Sequence, residues 1–234
     1  MVKPEPNYVT TEHTWDAIAS SFDATRRKPW PQCLSFITTL KPSDIAVDIA
    51  CGNGRHLIPC ARQCHRVIGI DISRNLLDIV QKKVKHENIG NVTLLHANAV
   101  DIPLEDNTVD GVLFIAALHN IQRRHQRIHS LGEVQRILKH GGRALISVWS
   151  RWQDRFRRHF QNQWFYREGA GEFGDTTIWW RQHGLNIPRY YHLYSKLEFE
   201  KDMTDAGLIL RTMEETYLRS TRYPDNFFAV VQKE

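Results

Sequence analysis

Ten residues constrain this chain most: Val47-Asp48-Ile49-Ala50-Cys51-Gly52-Asn53-Gly54-Arg55-His56. An apolar run stops at two closely spaced glycines, and a helical pattern begins after them. Glycines let the backbone approach a ligand closely, and the first turn of a helix offers free N–H groups. A second apolar run, Arg66-Val67-Ile68-Gly69-Ile70, ends on Asp71. An acid in that position can accept both hydroxyls of a ribose. Strand, glycine turn, helix, strand and acid predict a nucleotide-type pocket on an α/β sheet.

The rest of the chain supplies the alternation such a sheet needs. Trp15, Ile18, Ala19 and Phe22 recur at helical spacing, so residues 11–23 are expected to be helical. The dozen residues at the start read as a loose arm. A second helix runs to about residue 40, where Lys41-Pro42 stops it, and residues 1–40 form an N-terminal helical cap. Strands are expected at 45–49, 67–70, 92–95, 111–115 and 143–149. Between them lie helices at 53–62, shortened by Pro59, at a segment capped by Ser73, and at 122–138, closed by Gly141-Gly142 as a C-cap. Residues 195–207 read as a further helix, and 208–217 with 226–232 as a terminal hairpin. The pattern is that of a single domain over 1–234 with a parallel, doubly wound sheet, whose ligands sit at the carboxyl ends of the strands. The glycine turn, Asp71, the Asn98 region, His119 and Trp149 all fall on that rim.

Charge is uneven. The chain carries a net +5, yet residues 120–190 hold 13 Arg or Lys against 5 Asp or Glu. A basic segment on a mildly acidic body points to a polyanionic partner, with nucleic acid first. Residues 150–192 read as a basic, aromatic insertion with a glycine-rich break at 169–174. There Trp152, Phe156 and Phe160 make one helical stripe that docks the insertion, and Arg151, Arg155 and Arg158 are the RNA candidates. Four cysteines without a secretion signal suit the reducing cytoplasm. Cys60 and Cys64, near His56 and His65, fit no strong zinc spacing, and no metal is expected. No apolar run approaches about twenty residues, so no membrane span is expected.

Two cofactors suit the glycine turn, NAD and S-adenosylmethionine. NAD calls for a third small residue after G-x-G to grip the pyrophosphate. Here Arg55-His56-Leu57 follows Gly54. The missing third glycine favours S-adenosylmethionine.

The turn resembles motif I of the class I, Rossmann-like methyltransferases. Four further stretches narrow the resemblance: Thr25-Arg26-Arg27-Lys28-Pro29-Trp30-Pro31, Ile115-Ala116-Ala117-Leu118-His119-Asn120, Gly141 through Trp149, and Arg189-Tyr190-Tyr191-His192-Leu193-Tyr194. In order and spacing they resemble the tRNA wobble-uridine carboxymethyl methyltransferase family, over nearly the whole chain. The resemblance implies a seven-stranded, mostly parallel sheet with helices on both faces and an antiparallel last hairpin. It implies that Asp48, Ala50, Gly52 and Gly54 hold the methionine end of the cofactor and Asp71 the ribose. Adenine would lie by Ile72, Asn98, Ala99 and Ile115. Asn98 stands where the family carries Asp, and Asn120 where a second His is usual.

A carboxylate nucleophile with a pKa of about 4 is already ionised and needs a cation to recruit it, not a base. Arg26, Arg189 and His192 are the candidate cations, and His119 is the group nearest the expected methyl path. A hydroxyl nucleophile would need His119 as its base. Lys28, Trp30, Trp149 and Tyr191 complete the expected substrate surface. Val92-Thr93-Leu94-Leu95 would be an unprotected sheet edge. The resemblance places a small zinc-binding activator protein there, besides tRNA as substrate. A small-molecule methyltransferase of the same fold and a non-catalytic RNA-binding adaptor are the competing readings.

Overall fold

A computed structural model describes residues 8–166 and 171–234. The loose arm expected at the start lies in part outside these residues, as do the first two residues of the glycine-rich break. From Tyr8 the chain is already helical: α1 is Tyr8–Thr25 and α2 is Pro31–Ile37, with Pro31 opening α2. The core then runs β1 (Ile45–Ile49), α3 (Leu57–Gln63), β2 (Arg66–Asp71), α4 (Arg74–His86), β3 (Val92–His96), β4 (Val109–Ile115), α5 (Arg124–Ile137) and β5 (Leu138–Trp149). The insertion contributes α6 (Arg157–Tyr166), β6 (Asp175–Trp180) and β7 (Ile187–His192). The chain closes with α7 (Lys196–Asp205), β8 (Ile209–Thr216) and β9 (Asn226–Gln232).

Seven strands form one sheet in the order β3-β2-β1-β4-β5-β9-β8. The first five are parallel, and β9 runs antiparallel to both β5 and β8, as expected for a Rossmann-like methyltransferase. The order reverses between β1 and β4, which makes their carboxyl ends the switch point. Strands in such a sheet bury both faces, so apolar residues run without alternation. In β4, Val112 and Phe114 pack with Leu131 and Val134 of α5 and Phe199 of α7, while Leu113 and Ile115 pack with Phe36 of α2, Leu57 of α3 and Val80 of α4. β6 and β7 form a separate antiparallel pair.

Two local expectations change. The expected helix at 53–62 begins only at Leu57, with Pro59 in its first turn. Gly141-Gly142 does not cap α5. That helix ends at Ile137, Leu138 is already extended at φ −63°, ψ 137°, and the glycines lie in an irregularity of β5 where the register with β4 shifts. Ser73 does cap α4, accepting from the Leu76 N–H. Among the described residues no helix is long and apolar enough to cross a membrane.

Candidate active site

The carboxyl ends of the parallel strands open onto a cavity of about 370 Å³. Ala50 follows β1 and Ala116 follows β4, both with φ 54°, and both line it. A non-glycine residue in this region is strained, and such strain clusters at ligand sites. Gly52 and Gly54 turn the chain at φ 56° and 79°. The turn is locked to β2 by Asp71: Oδ2 accepts the Gly52 N–H at 2.8 Å and Oδ1 the Ser73 N–H at 2.8 Å. Burial pushes the Asp71 carboxyl up to about 6 against these hydrogen bonds. Each oxygen keeps a lone pair, and Asp71 lines the cavity beside Ile72.

Asp48 sits behind the turn, 2 % exposed and outside the cavity lining, and its Oδ2 has no partner among the described residues. Burial, and then the nearby Asp71, push its carboxyl up to about 8. Arg55 lines the cavity, and burial brings its guanidinium down to about 10. Farther along the rim Asn98, Ala99 and Ile115 line the cavity, as expected of an adenine wall. Asn98 turns its Oδ1 back to the Val100 N–H at 3.2 Å, which leaves one lone pair on that oxygen. An unpaired buried carboxylate, a second acid over a glycine turn and an arginine at one end suit an amino-acid head joined to a nucleoside.

Part of the lining is aromatic and cationic. Trp30, Trp149, Trp180 and Tyr191 line it with Arg26 and Arg189. Arg189 is held by ring faces: its guanidinium lies 4.9 Å from the Trp180 centroid, 5.0 Å from Tyr191 and 5.6 Å from Trp15. It donates to the Tyr191 hydroxyl at 2.6 Å, and its buried Nε has no partner among the described residues. Arg26 lies 5.3 Å over Trp180. Neither arginine has an ion-pair partner among the described residues. Two guanidiniums among π-faces, without a carboxylate, make an anion site.

His119 is fully buried and outside the cavity lining. It stacks on Tyr191 at 5.1 Å and lies 5.6 Å from Trp149, and its Nδ1 accepts the Trp149 N–H at 3.2 Å. Burial, and then Arg189, drive its pKa down to about 3. A neutral imidazole accepting at Nδ1 carries its proton on Nε2, which has no partner. It therefore props the aromatic wall and is badly placed to take up a proton.

Other expected site residues fall elsewhere. His192 faces away from the cavity, because successive β7 side chains alternate between faces. It is fully buried, with Nδ1 2.8 Å from Asp175 and Nε2 2.8 Å from Glu198. Arg151 is also buried; it pairs with Glu198 at 2.5 Å and donates to the Leu193 carbonyl, which leaves it no surface for RNA. Lys28, Arg155 and Arg158 are exposed and outside the cavity lining. Phe160 is fully buried with Ile178 and Leu193, and Trp152 and Phe156 pack on that cluster, so the stripe docks the insertion. Glu172, Asp175 and His192 could share a cation by distance. Their oxygens are already engaged by Arg127, the Arg124 N–H and the Tyr190 hydroxyl.

Trp15, Phe22, Arg55, Trp180 and Asn120 line the cavity without having been singled out as site residues. Arg55 had a signal, since it stands inside the glycine turn. Trp15 and Phe22 looked like an ordinary apolar helix face. Trp180 reaches the cavity only through the fold: its Nε1 donates to Ser21 of α1 at 2.8 Å.

Comparisons with known proteins agree with this geometry. A family model described as a methyltransferase domain matches residues 47–146. The tRNA (carboxymethyluridine(34)-5-O)-methyltransferase of Mus musculus is 34 % identical over 140 residues, 60 % of this chain and 20 % of that protein. This chain thus spans about a fifth of the length of that relative. The Schizosaccharomyces pombe protein of the same name is 28 % identical over 99 % of both chains. Among solved structures, a SAM-dependent methyltransferase from Methanosarcina mazei matches with TM-score 0.72 at 19 % identity, over 88 % of this chain and 98 % of that one. A Haloferax volcanii putative methyltransferase, solved in complex with the Trm112 methyltransferase activator, matches with TM-score 0.69 at 17 % identity over 95 % and 96 %. The fold is that of the class I methyltransferases, and the site suits S-adenosylmethionine. The chain is related, at moderate identity, to the tRNA wobble-uridine methyltransferases.

Proposed function

We propose that the chain is one methyltransferase domain that esterifies a carboxymethyl group on a tRNA wobble uridine. The observation that carries this reading is the pair Arg26 and Arg189, without an ion-pair partner among the described residues and set with Trp30, Trp149, Trp180 and Tyr191 in the cavity lining. A planar base bearing a short carboxylate matches that wall in both shape and charge. The names of the mouse and fission-yeast relatives support the same substrate.

In this reading Arg55 and the Ala50–Gly54 turn, with Asp48 buried behind it, hold the amino-acid head of S-adenosylmethionine, Asp71 its ribose, and Ile72, Asn98, Ala99 and Ile115 its adenine. Once bound, S-adenosylmethionine supplies an electrophilic methyl group on a sulfonium sulfur. The protein's task is then positioning. Arg26 and Arg189 orient the carboxylate, which is ionised at neutral pH and needs no base. His119, neutral and engaged at Nδ1, holds Trp149 and Tyr191 in place. The neutral ester product loses its attraction to both arginines, which favours release. A small-molecule substrate would call for an apolar lid where this chain has its arginine-rich insertion.

The same reading places an activator protein on β3. That strand is the edge of the sheet, and Val92, Thr93, Leu94 and Leu95 are half-buried along it. The Haloferax volcanii complex supports an activator for this fold.

The test is transfer of labelled methyl groups from S-adenosylmethionine to bulk tRNA, with and without a Trm112-type activator, followed by nucleoside identification. Label in methoxycarbonylmethyluridine is expected. tRNA that stays unlabelled under both conditions overturns the reading.

A further inference from the structure

We propose that the loop between β8 and β9, residues 217–225, is a preformed RNA-contact arm beside the cavity mouth. The inference rests on the tRNA reading and extends it to a surface outside both the cavity and the insertion. Placement comes first. β9 pairs with β5 so that Asn226 lies opposite Trp149, a cavity-lining residue, and the Ser150 N–H donates to the Asp225 carbonyl at 2.9 Å. The loop therefore leaves the sheet on the same rim as the cavity.

The loop is rigid for a stated reason. The buried Asp225 carboxylate accepts the N–H groups of Leu218, Arg219 and Ser220 at 2.7, 2.8 and 3.0 Å, and the Ser220 hydroxyl at 2.7 Å. It is also tied to the insertion. The Asp154 N–H donates to the Ser220 hydroxyl at 2.9 Å, and the Asp154 carboxylate accepts the Thr221 N–H at 3.0 Å. Both acids are thus turned onto backbone groups, and the sequence from Tyr217 to Pro224 contains no acid.

What remains outward is basic and aromatic. Tyr217 is 53 % exposed, Leu218 62 % and Tyr223 39 %, with Arg219 and Arg222 exposed between them. Arg155, next to Asp154 in the chain, is exposed and rests 4.7 Å over the Phe156 ring. Among the described residues Arg155, Arg219 and Arg222 have no ion-pair partner. A rigid scaffold that keeps large apolar surface and unneutralised guanidiniums in water suits a partner with phosphates for the arginines and unstacked bases for the tyrosines. A single-stranded RNA loop offers both, whereas an acidic protein surface offers only charge.

The test uses the full chain and an anticodon stem–loop RNA, with binding followed across a salt series. R219A/R222A is expected to weaken binding about tenfold at low salt and to reduce the log–log salt slope by about two. Y223A is expected to weaken binding to the stem–loop about fivefold and to leave binding to a duplex of equal length unchanged. Calorimetric binding of S-adenosylmethionine by both variants should match the wild type and so report an intact fold. Wild-type RNA affinity and salt slope in R219A/R222A overturn this inference alone and assign the patch to a protein partner. Absence of RNA binding by the wild type, with its activator present, overturns the tRNA reading with it.

Discussion

Two regions of this molecule bury polar side chains, and they do so in opposite ways. In the insertion, His192 meets a carboxylate at each ring nitrogen, Glu198 is shared between His192 and Arg151, and Asp175 takes the Tyr190 hydroxyl as well. In and just behind the cavity wall, Arg189 Nε, Asp48 Oδ2 and His119 Nε2 are buried without partners among the described residues. Strand β7 carries both regimes on alternate residues: Arg189 and Tyr191 face the cavity, Tyr190 and His192 the saturated cluster. A buried polar atom without a partner costs stability unless a ligand completes it. Along β7 saturation therefore separates framework from site where burial does not, although Gln163 Oε1 in α6 and Arg127 Nε beside Glu172 are also buried without partners among the described residues.

The sharpest way to break this contrast is to exchange the two kinds of residue. Arg189→Met should reduce kcat/KM for tRNA methylation by about 100-fold or more, since a charge-assisted contact to the substrate is lost. Affinity for S-adenosylmethionine, measured by calorimetry, should stay within about twofold and Tm within a few degrees, because no ion pair is broken. His192→Leu should act on stability instead. It strands Asp175 and Glu198 without their imidazole and should cost about 3–5 kcal/mol by denaturant unfolding, while turnover per folded molecule is kept. Lost turnover at unchanged stability would move His192 into the site.

A third exchange uses pH. Folded-state burial raises the carboxyl of Asp71 to about 6 and that of Asp48 to about 8. Their stabilising contribution is full below the unfolded-state value of about 4 and is lost as pH rises through the folded values. Without cofactor, Asp48→Asn should match the wild type in Tm near pH 4 and exceed it by about 5 °C near pH 9. Its affinity for S-adenosylmethionine should fall. Equal melting at both pH values would mean that Asp48 finds a partner in solution. The smallest effect belongs to His119→Asn. It should slow methylation severalfold by loosening Trp149 and Tyr191 and leave the shape of the pH–rate profile between about pH 6 and 8 unchanged. Loss of an acid limb in the variant would instead make His119 a base.

The sheet was legible in the sequence because continuous apolar runs, such as Val112 to Ile115, leave little choice of structure. The cofactor end was legible because a glycine turn and Asp71 lie within one local unit. What stayed hidden depends on long-range partners. Gly141-Gly142 looked like a helix cap, and the pairing of Leu138 with Val109 of β4 and of Arg143 with Gln232 of β9 made the segment strand. Arg151 reads like its neighbours Arg155 and Arg158 until Glu198 is brought against it. His192 stands one residue from Tyr191 and three from Arg189, and only the strand pleat shows which residues share a face. Trp15 and Trp180 become cavity walls through a contact that no local pattern encodes.

That last contact bears on the order in which the protein assembles. The Trp180 indole meets Ser21 across 159 residues of chain, and Ser21 also meets His183 across 162. The cavity roof is therefore among the most non-local parts of the fold, and non-local contacts form late because their loops close at high entropic cost. During synthesis α1 can dock on α4 early, through Asp16 with Ser73 and Asp23 with Lys83, but the roof it makes with Trp180 must wait for β6 and β7. Binding of S-adenosylmethionine thus reports that both ends of the chain have met, and saturating cofactor in a refolding experiment should slow unfolding far more than it speeds folding.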